Sequence, residues 1–221
     1  MKIGVLGAGR MAEALVPGWV RAGHEVLIGG RTPAKAEDLA QRVGAKAGSL
    51  REAAGFGDAV LLAVLLAGLE ETLVAAGGPE GTLAGKTIID CGNAVDLSDY
   101  SQITFGGGTS MAEEVARLAP GAHVVKAFNQ AHGDVWKMRP LSFDGRPFAV
   151  PIAGDEEGKA VARTLITDLG AEPLDAGDLT QARHLEAMAI IVIRLLRSGY
   201  GPLSVFAFTG PGRTEQVSPS R

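Results

Sequence analysis

Residues 2–9, Lys-Ile-Gly-Val-Leu-Gly-Ala-Gly, constrain the fold more than any other stretch of the chain. A short apolar strand runs directly into Gly7-Ala8-Gly9-Arg10-Met11-Ala12 and then into an Ala-rich segment. Gly7 permits a tight turn, Gly9 lets the backbone approach a pyrophosphate, and Ala12 is small enough for a helix to pack on the strand. The unpaired amide N–H groups that open such a helix face the phosphates. The spacing predicts a dinucleotide-binding turn. A plain structural turn is the alternative, and the rhythm of the chain that follows weighs against it.

That rhythm alternates strand and helix. A helix is expected over residues 10–22, stopped by Gly23 and kinked at Pro17, whose ring removes one hydrogen bond. A strand over 25–28 ends in Gly29-Gly30-Arg31-Thr32-Pro33. In an NAD-preferring site a carboxylate about 20 residues beyond the glycine turn accepts from the ribose 2′-OH, whereas an Arg there suits a 2′-phosphate. Glu25 is at the wrong end of this strand, while Arg31 and Thr32 occupy the right one, so NADP is the expected nucleotide. A solvated loop Arg is the bland alternative. Helices follow over 34–43 and, capped by Ser49, over 49–54, with a short strand at 45–47 between them. The nearly continuous apolar run 58–64 reads as a central parallel strand, followed by a return helix over 69–76 and a strand over 86–90. Ligands bind beyond the carboxyl ends of strands in such sheets, which places Ala63, Val64 and Asn93 toward the nucleotide, with a turn-forming Asn as the equal alternative for Asn93. Gly7, Ala8, Gly9, Arg10, Met11, Arg31, Thr32 and Lys35 complete the expected cofactor-binding set.

Bulk properties exclude several classes. A chain of 221 residues with 46% hydrophobic and 21% charged residues is an ordinary globular composition, and a net charge of −4 without like-charge runs argues against nucleic-acid binding. Cys91 is the single cysteine, so no intramolecular disulfide is available; a buried small residue at a strand end is its expected role. The strand beginning at residue 2 leaves no room for a signal peptide, and no apolar run approaches about 20 residues. A cytoplasmic protein without membrane contact is expected.

Farther on, a Gly-rich loop at 106–110 leads into a helix over 111–118 that Ser110 can cap, and a strand over 123–128 ends at Asn129-Gln130. Residues 131–146 show no convincing period. A strand over 147–152, a helix with Val161, Leu165 and Leu169 every four residues, and a strand over 171–174 follow. The last helix, 179–197, carries a stripe of Ala182, Leu185, Ala189, Val192, Ile193 and Leu196, widened by Met188, Ile190, Ile191 and Leu195. A helix so apolar must be covered on most sides, and a homodimer contact is expected there. The whole reads as α/β, a doubly wound, mostly parallel Rossmann-type sheet with a C-terminal helical extension. Its expected divisions are 1–177 for the nucleotide domain, 178–209 for the helix and a docking segment, and 210–221 for a disordered tail.

These motifs in this order resemble the coenzyme F420:NADP oxidoreductases. The likeness rests on Gly7-Ala8-Gly9, Gly29-Gly30-Arg31, Ser110 with Ala112-Glu113, Val124-Val125-Lys126-Ala127-Phe128-Asn129, Ile152-Ala153-Gly154-Asp155, and Asp175-Ala176-Gly177 with Ala182-Arg183-His184-Leu185-Glu186. It implies hydride transfer between NADPH and a deazaflavin co-substrate, a small molecule, with Ser110, Lys126, Asn129 and His132 as pocket residues. Three departures fall in loops lining that pocket: Val64-Leu65-Leu66 where a Pro-containing turn is usual, Asn93-Ala94 near the usual site of a Pro, and Gln130 in place of Thr. Hydride transfer demands alignment rather than a dedicated acid or base. In agreement, no Ser-His-Asp set or metal-ligand spacing is visible, and no metal is expected. His132 is the best candidate for a catalytic proton donor. An NADPH-dependent imine or carbonyl reductase, which would need that donor, and a non-enzymatic NADPH sensor remain open at this point.

Overall fold

The computed structural model describes residues 1–206. Eight strands form one sheet: β1 (Lys2–Leu6), β2 (Glu25–Gly29), β3 (Lys46–Gly48), β4 (Ala59–Leu62), β5 (Thr87–Asp90), β6 (His123–Lys126), β9 (Ala149–Gly154) and β10 (Glu172–Asp175). Their order is β10-β9-β6-β5-β4-β1-β2-β3. From β3 to β6 all neighbours are parallel, the doubly wound order with its switch point between β1 and β4. Strand β9 pairs antiparallel to β6, through Val125 with Gly154 and Lys126 with Ala153, and β10 runs parallel to β9.

The reversal has a local cause. A parallel return needs a crossover across the sheet face, usually a helix. Residues 131–146, which showed no period, hold only the four-residue helix α6 (Gly133–Trp136) and the small hairpin β7 (Ser142–Phe143) with β8 (Arg146–Pro147). The chain therefore re-enters the sheet at the end where β6 left it, alongside β6 and antiparallel to it. An edge-to-face aromatic series, Trp19–Phe128–Trp136–Phe148, with centroids 5.1–6.0 Å apart, packs this connection onto the sheet.

Alternation along the central strands builds a core on each face. Ile3, Val5, Leu61, Ile89 and Val125 point toward α1 (Arg10–Arg21), α2 (Pro33–Val43) and α7 (Glu156–Thr167). Leu6, Val60, Leu62, Ile88 and Val124 point toward α3 (Leu50–Phe56), α4 (Leu69–Ala75) and α5 (Met111–Leu118). Helix α1 runs through Pro17 as one element, held by Trp19, whose indole N–H donates to the Leu165 carbonyl at 3.0 Å. Ser49 caps α3 as expected, in a reciprocal capping box with Glu52.

Helix α8 (Ala182–Arg197) closes the described fold. Its stripe is split between two duties. Ala182, Leu185, Ala189 and Val192 are buried within the subunit, whereas Ile191 and Leu195 remain 52% and 37% exposed. Of the docking segment expected after it, Val205 packs against the core. Residues 207–221, which include the expected tail, lie outside the described residues. Among the described residues no helix is long and apolar enough to cross a membrane.

Candidate active site

The carboxyl ends of β1, β4, β5 and β6 open into a cleft of about 770 Å³, roofed by α8. At its base lies the Gly7 turn. Gly7 has φ of 114°, and a Cβ there would collide with the Ala63 carbonyl oxygen, so both conformation and space require glycine. Gly9, the residue before α1, would place a Cβ only in ordinary contact, 3.8 Å from the Ala63 carbonyl oxygen, and provides no side-chain cap. The first amide N–H groups of the 12-residue α1 are therefore left for an external anion.

The cleft gathers Gly9, Arg10, Met11, Ala63, Val64, Asn93, Asn129 and His132 from the expected set. Asn93 and Asn129 clamp each other: the Asn93 amide donates to the Asn129 carbonyl at 2.9 Å, and the Asn129 amide donates to Asn93 Oδ1 at 2.9 Å and to the Leu185 carbonyl at 3.0 Å. His132 Nε2 lies 3.1 Å from Arg10 Nη1, and its Nδ1 lies 3.4 Å from the Asp134 backbone nitrogen. Both ring nitrogens cannot accept at once in a neutral imidazole, which carries one N–H. Arg10 can only donate, so its contact sets Nε2 as the acceptor and leaves the ring proton on Nδ1, 3.4 Å from the Asp134 carboxylate.

A second group surrounds the end of β2. Arg31 crosses to α4, donating from Nη1 to Glu71 Oε2 at 2.6 Å, with its guanidinium lying over Gly68. Both side chains are exposed, at 54% and 66%. Thr32 precedes α2 without capping it, Pro33 opens that helix, and Lys35 stands exposed in its first turn. A second hollow, of about 480 Å³, adjoins this loop between Gly30, Glu37, Ser49 and Ala75. An uncapped helix start beside Arg and Lys has the positive potential and the donors that suit a phosphate dianion.

The structure does not bring Ser110 and Lys126 to the cleft. Ser110 is 1% exposed and caps α5 in a capping box with Glu113. Lys126 is fully buried between Asp90 at 2.6 Å and Glu186 at 2.7 Å and donates to the Gly92 carbonyl at 2.8 Å. Glu186 in turn accepts the Met111 and Ala112 N–H groups that open α5. Burial alone would lower the Lys126 pKa, but the Asp90 and Glu186 carboxylates outweigh it and hold the ammonium charged. This triad ties β5, β6, α5 and α8 directly beneath the Asn93 loop. The neighbouring Cys91 thiol is pushed up to about 12 by burial, with the Asp90 charge adding to it, so it is an inert wall residue.

Leu65 and Leu66 stand in the loop that the sequence placed beside the pocket, but the rest of the apolar wall was not legible there as a wall. Leu65, Leu66, Val95, Tyr100 and Ile103 line the cleft, as do Ala189, Val192, Ile193 and Leu196 of α8. The last four were legible as a helical stripe, but nothing local said that it faced a cavity. Segment 95–103 is drawn against α8 by Arg197, whose guanidinium lies 4.6 Å from the Tyr100 ring centroid. At the amino ends of the strands, away from the cleft, exposed or half-exposed His123, Asp155 and Glu157 approach one another.

Fold and cleft define a class, the Rossmann-type NADP-dependent oxidoreductases. Within it, residues 2–94 match the family described as NADP oxidoreductase coenzyme F420-dependent, in accord with the resemblance read from the sequence. A chain from Arthrobacter sp. FB24, provisionally assigned as an F420-dependent NADP reductase, superposes with a TM-score of 0.83 at 28% identity, over 95% of this chain and all of that one. The metalloreductase STEAP3 of Rattus norvegicus is 31% identical over 198 residues, 89% of this chain and 37% of that protein. A reductive aminase from Aspergillus terreus, in complex with NADPH and ethyl-5-oxohexanoate, is similar at 25% identity and a TM-score of 0.65, over 90% of this chain and 62% of that one. The chain thus spans little more than a third of its curated relative.

Proposed function

We propose that this protein binds NADP(H) across the switch point and exchanges a hydride with the deazaflavin coenzyme F420. The observation that carries the reading is the pairing of an uncapped α1 start at Gly9 with the Arg31, Thr32 and Lys35 group at the uncapped start of α2. The backbone N–H groups of α1 would hold the pyrophosphate, and Arg31 with Lys35 would hold the 2′-phosphate. When bound, NADPH supplies the hydride. The protein's part is alignment: the Asn93–Asn129 clamp fixes the ends of β5 and β6, and Val64, Leu65, Val192 and Ile193 exclude water from the face where the two rings meet. Likeness to the Arthrobacter chain, which is matched over its full length, favours the deazaflavin as acceptor. Mixing the protein with NADPH and oxidised deazaflavin should bleach the latter's visible absorbance; no bleaching at high enzyme concentration rejects the reading.

A second reading, reduction of an imine or carbonyl group, is favoured by the placement of His132 Nε2 in the cleft and by the similarity to the NADPH-bound reductive aminase. His132 would then donate the proton, and turnover of an imine and ketone panel with His132→Ala inactive would establish it. In either case we propose a homodimer through the outward face of α8, where Ile191 and Leu195 are exposed. Light scattering should give twice the chain mass, and Ile191→Glu should halve it.

A further inference from the structure

Residues 128–130, just beyond β6, have a conformation that the proposed reaction does not use. Phe128 has φ of 63°, an unfavourable conformation for a bulky residue, and the sharp turn it makes puts Asn129 and Gln130 in the cleft wall. Both are almost wholly buried, Asn129 at 5% exposure and Gln130 at 2%. Asn129 uses its two amide hydrogens on Asn93 and Leu185, which fixes its orientation, yet its Oδ1 has no partner among the described residues. Gln130 is more extreme: neither Oε1 nor Nε2 has a partner there. A fully buried carboxamide with both ends unpaired is costly, and burial away from a ligand site would favour an apolar residue of the same shape.

We propose that Gln130 is a specificity-determining residue that reads an amide edge on the bound reactants, with Asn129 Oδ1 as an auxiliary acceptor. A carboxamide presents one acceptor beside one donor. Its complement is a group presenting a donor beside an acceptor, namely a primary carboxamide or the N–H and C=O edge of a cyclic imide. Two hydrogen bonds formed there would satisfy groups that are unpaired in the free protein, so a ligand with that edge gains both bonds without breaking any, and a ligand lacking it gains neither. The inference rests on the proposed reaction, whose reactants offer this chemistry twice: the carboxamide of the nicotinamide ring and the pyrimidinedione edge of the deazaflavin. Gln130 stands where the resembling family usually carries Thr, whose single hydroxyl oxygen cannot offer an acceptor and a donor on two separate atoms side by side.

The test compares wild type with Gln130→Met, which keeps length and removes both polar atoms, and Gln130→Glu, which keeps shape and removes the donor. Three affinities are measured by titration: NADPH, 2′-phospho-ADP-ribose, which lacks the nicotinamide, and oxidised deazaflavin. A loss of about tenfold or more for NADPH, with 2′-phospho-ADP-ribose unchanged, identifies the nicotinamide carboxamide as the edge read. The same loss for the deazaflavin alone identifies the imide edge. Thermal melting separates this from a structural role, because Gln130→Met should melt no lower than wild type. If all three affinities stay within about twofold in both variants, or if Gln130→Met lowers the melting temperature and weakens all three ligands alike, the proposal is overturned. Should wild type fail to bind the deazaflavin, the proposed reaction falls, while the NADPH titration still decides for or against Gln130.

Discussion

Outside the cleft, at the outer end of the site, Arg31 meets Glu71 in open solvent, with side-chain exposures of 54% and 66%; at the inner end, buried beneath the cleft, Lys126 meets Asp90 and Glu186 with none at all. The outer pair contributes little to folding, since exposed ion pairs contribute about 0–1 kcal/mol, and its partner is easily exchanged. The inner triad is fully hydrogen-bonded and cannot exchange partners without leaving a charge unpaired in the core. One end is therefore suited to reading a charged ligand and the other to holding the reacting rings in register.

The largest effect is expected at the inner end. Lys126→Met leaves two carboxylates buried without their cation and should destabilise the fold by about 3–5 kcal/mol in denaturant unfolding. A loss under about 1 kcal/mol would mean that the triad does not hold the cleft floor. At the outer end, Arg31→Asp should leave stability nearly unchanged while weakening NADPH by about 30-fold or more and NADH far less. Equal weakening of both would show that Arg31 does not read the 2′-phosphate.

Acid sharpens the contrast further. Burial raises the Glu113 carboxyl, but hydrogen bonds from the Ser110 backbone and hydroxyl and the contact with Arg183 outweigh it, leaving its pKa below the ordinary 4.5. Its folded pKa is depressed, so the unfolded chain binds the extra proton first; the stability it contributes is complete above 4.5 and is lost as pH falls through the folded value. Thermal melts of Glu113→Gln should show a shallower decline below pH 4.5 than wild type, while Arg31→Asp should follow the wild-type profile. The smallest effect belongs to Glu71→Gln. Freeing Arg31 from its carboxylate partner should tighten NADPH by up to about fivefold at low salt, with NADH unmoved. Weaker NADPH binding would show instead that Glu71 orients Arg31 for the phosphate.

The outer end was readable from sequence because its logic is local. Gly7 and Gly9 act within one turn, and Arg31 and Thr32 directly follow the strand that presents them. The inner end was not, because the meaning of a polar residue at a strand end depends on what comes to face it. Lys126 meets Asp90 across 36 positions and Glu186 from the last helix, and Ser110 turns its hydroxyl to its own helix rather than to the cleft. The α8 stripe was visible as a period, but only the fold divides it between core, cleft wall and exposed face. The antiparallel entry of β9 was hidden in the same way, since it follows from what residues 131–146 fail to provide.

The central claim, that an exposed outer site reads NADP while a buried inner site holds the reaction geometry, is tested most directly by titrating wild type with NADPH and NADH at low and high ionic strength. NADPH should bind more tightly than NADH, with an advantage that shrinks as salt rises, because the exposed Arg31 contact, which only the 2′-phosphate makes, is open to screening. Equal affinities at low salt, or a preference that salt leaves untouched, would contradict it.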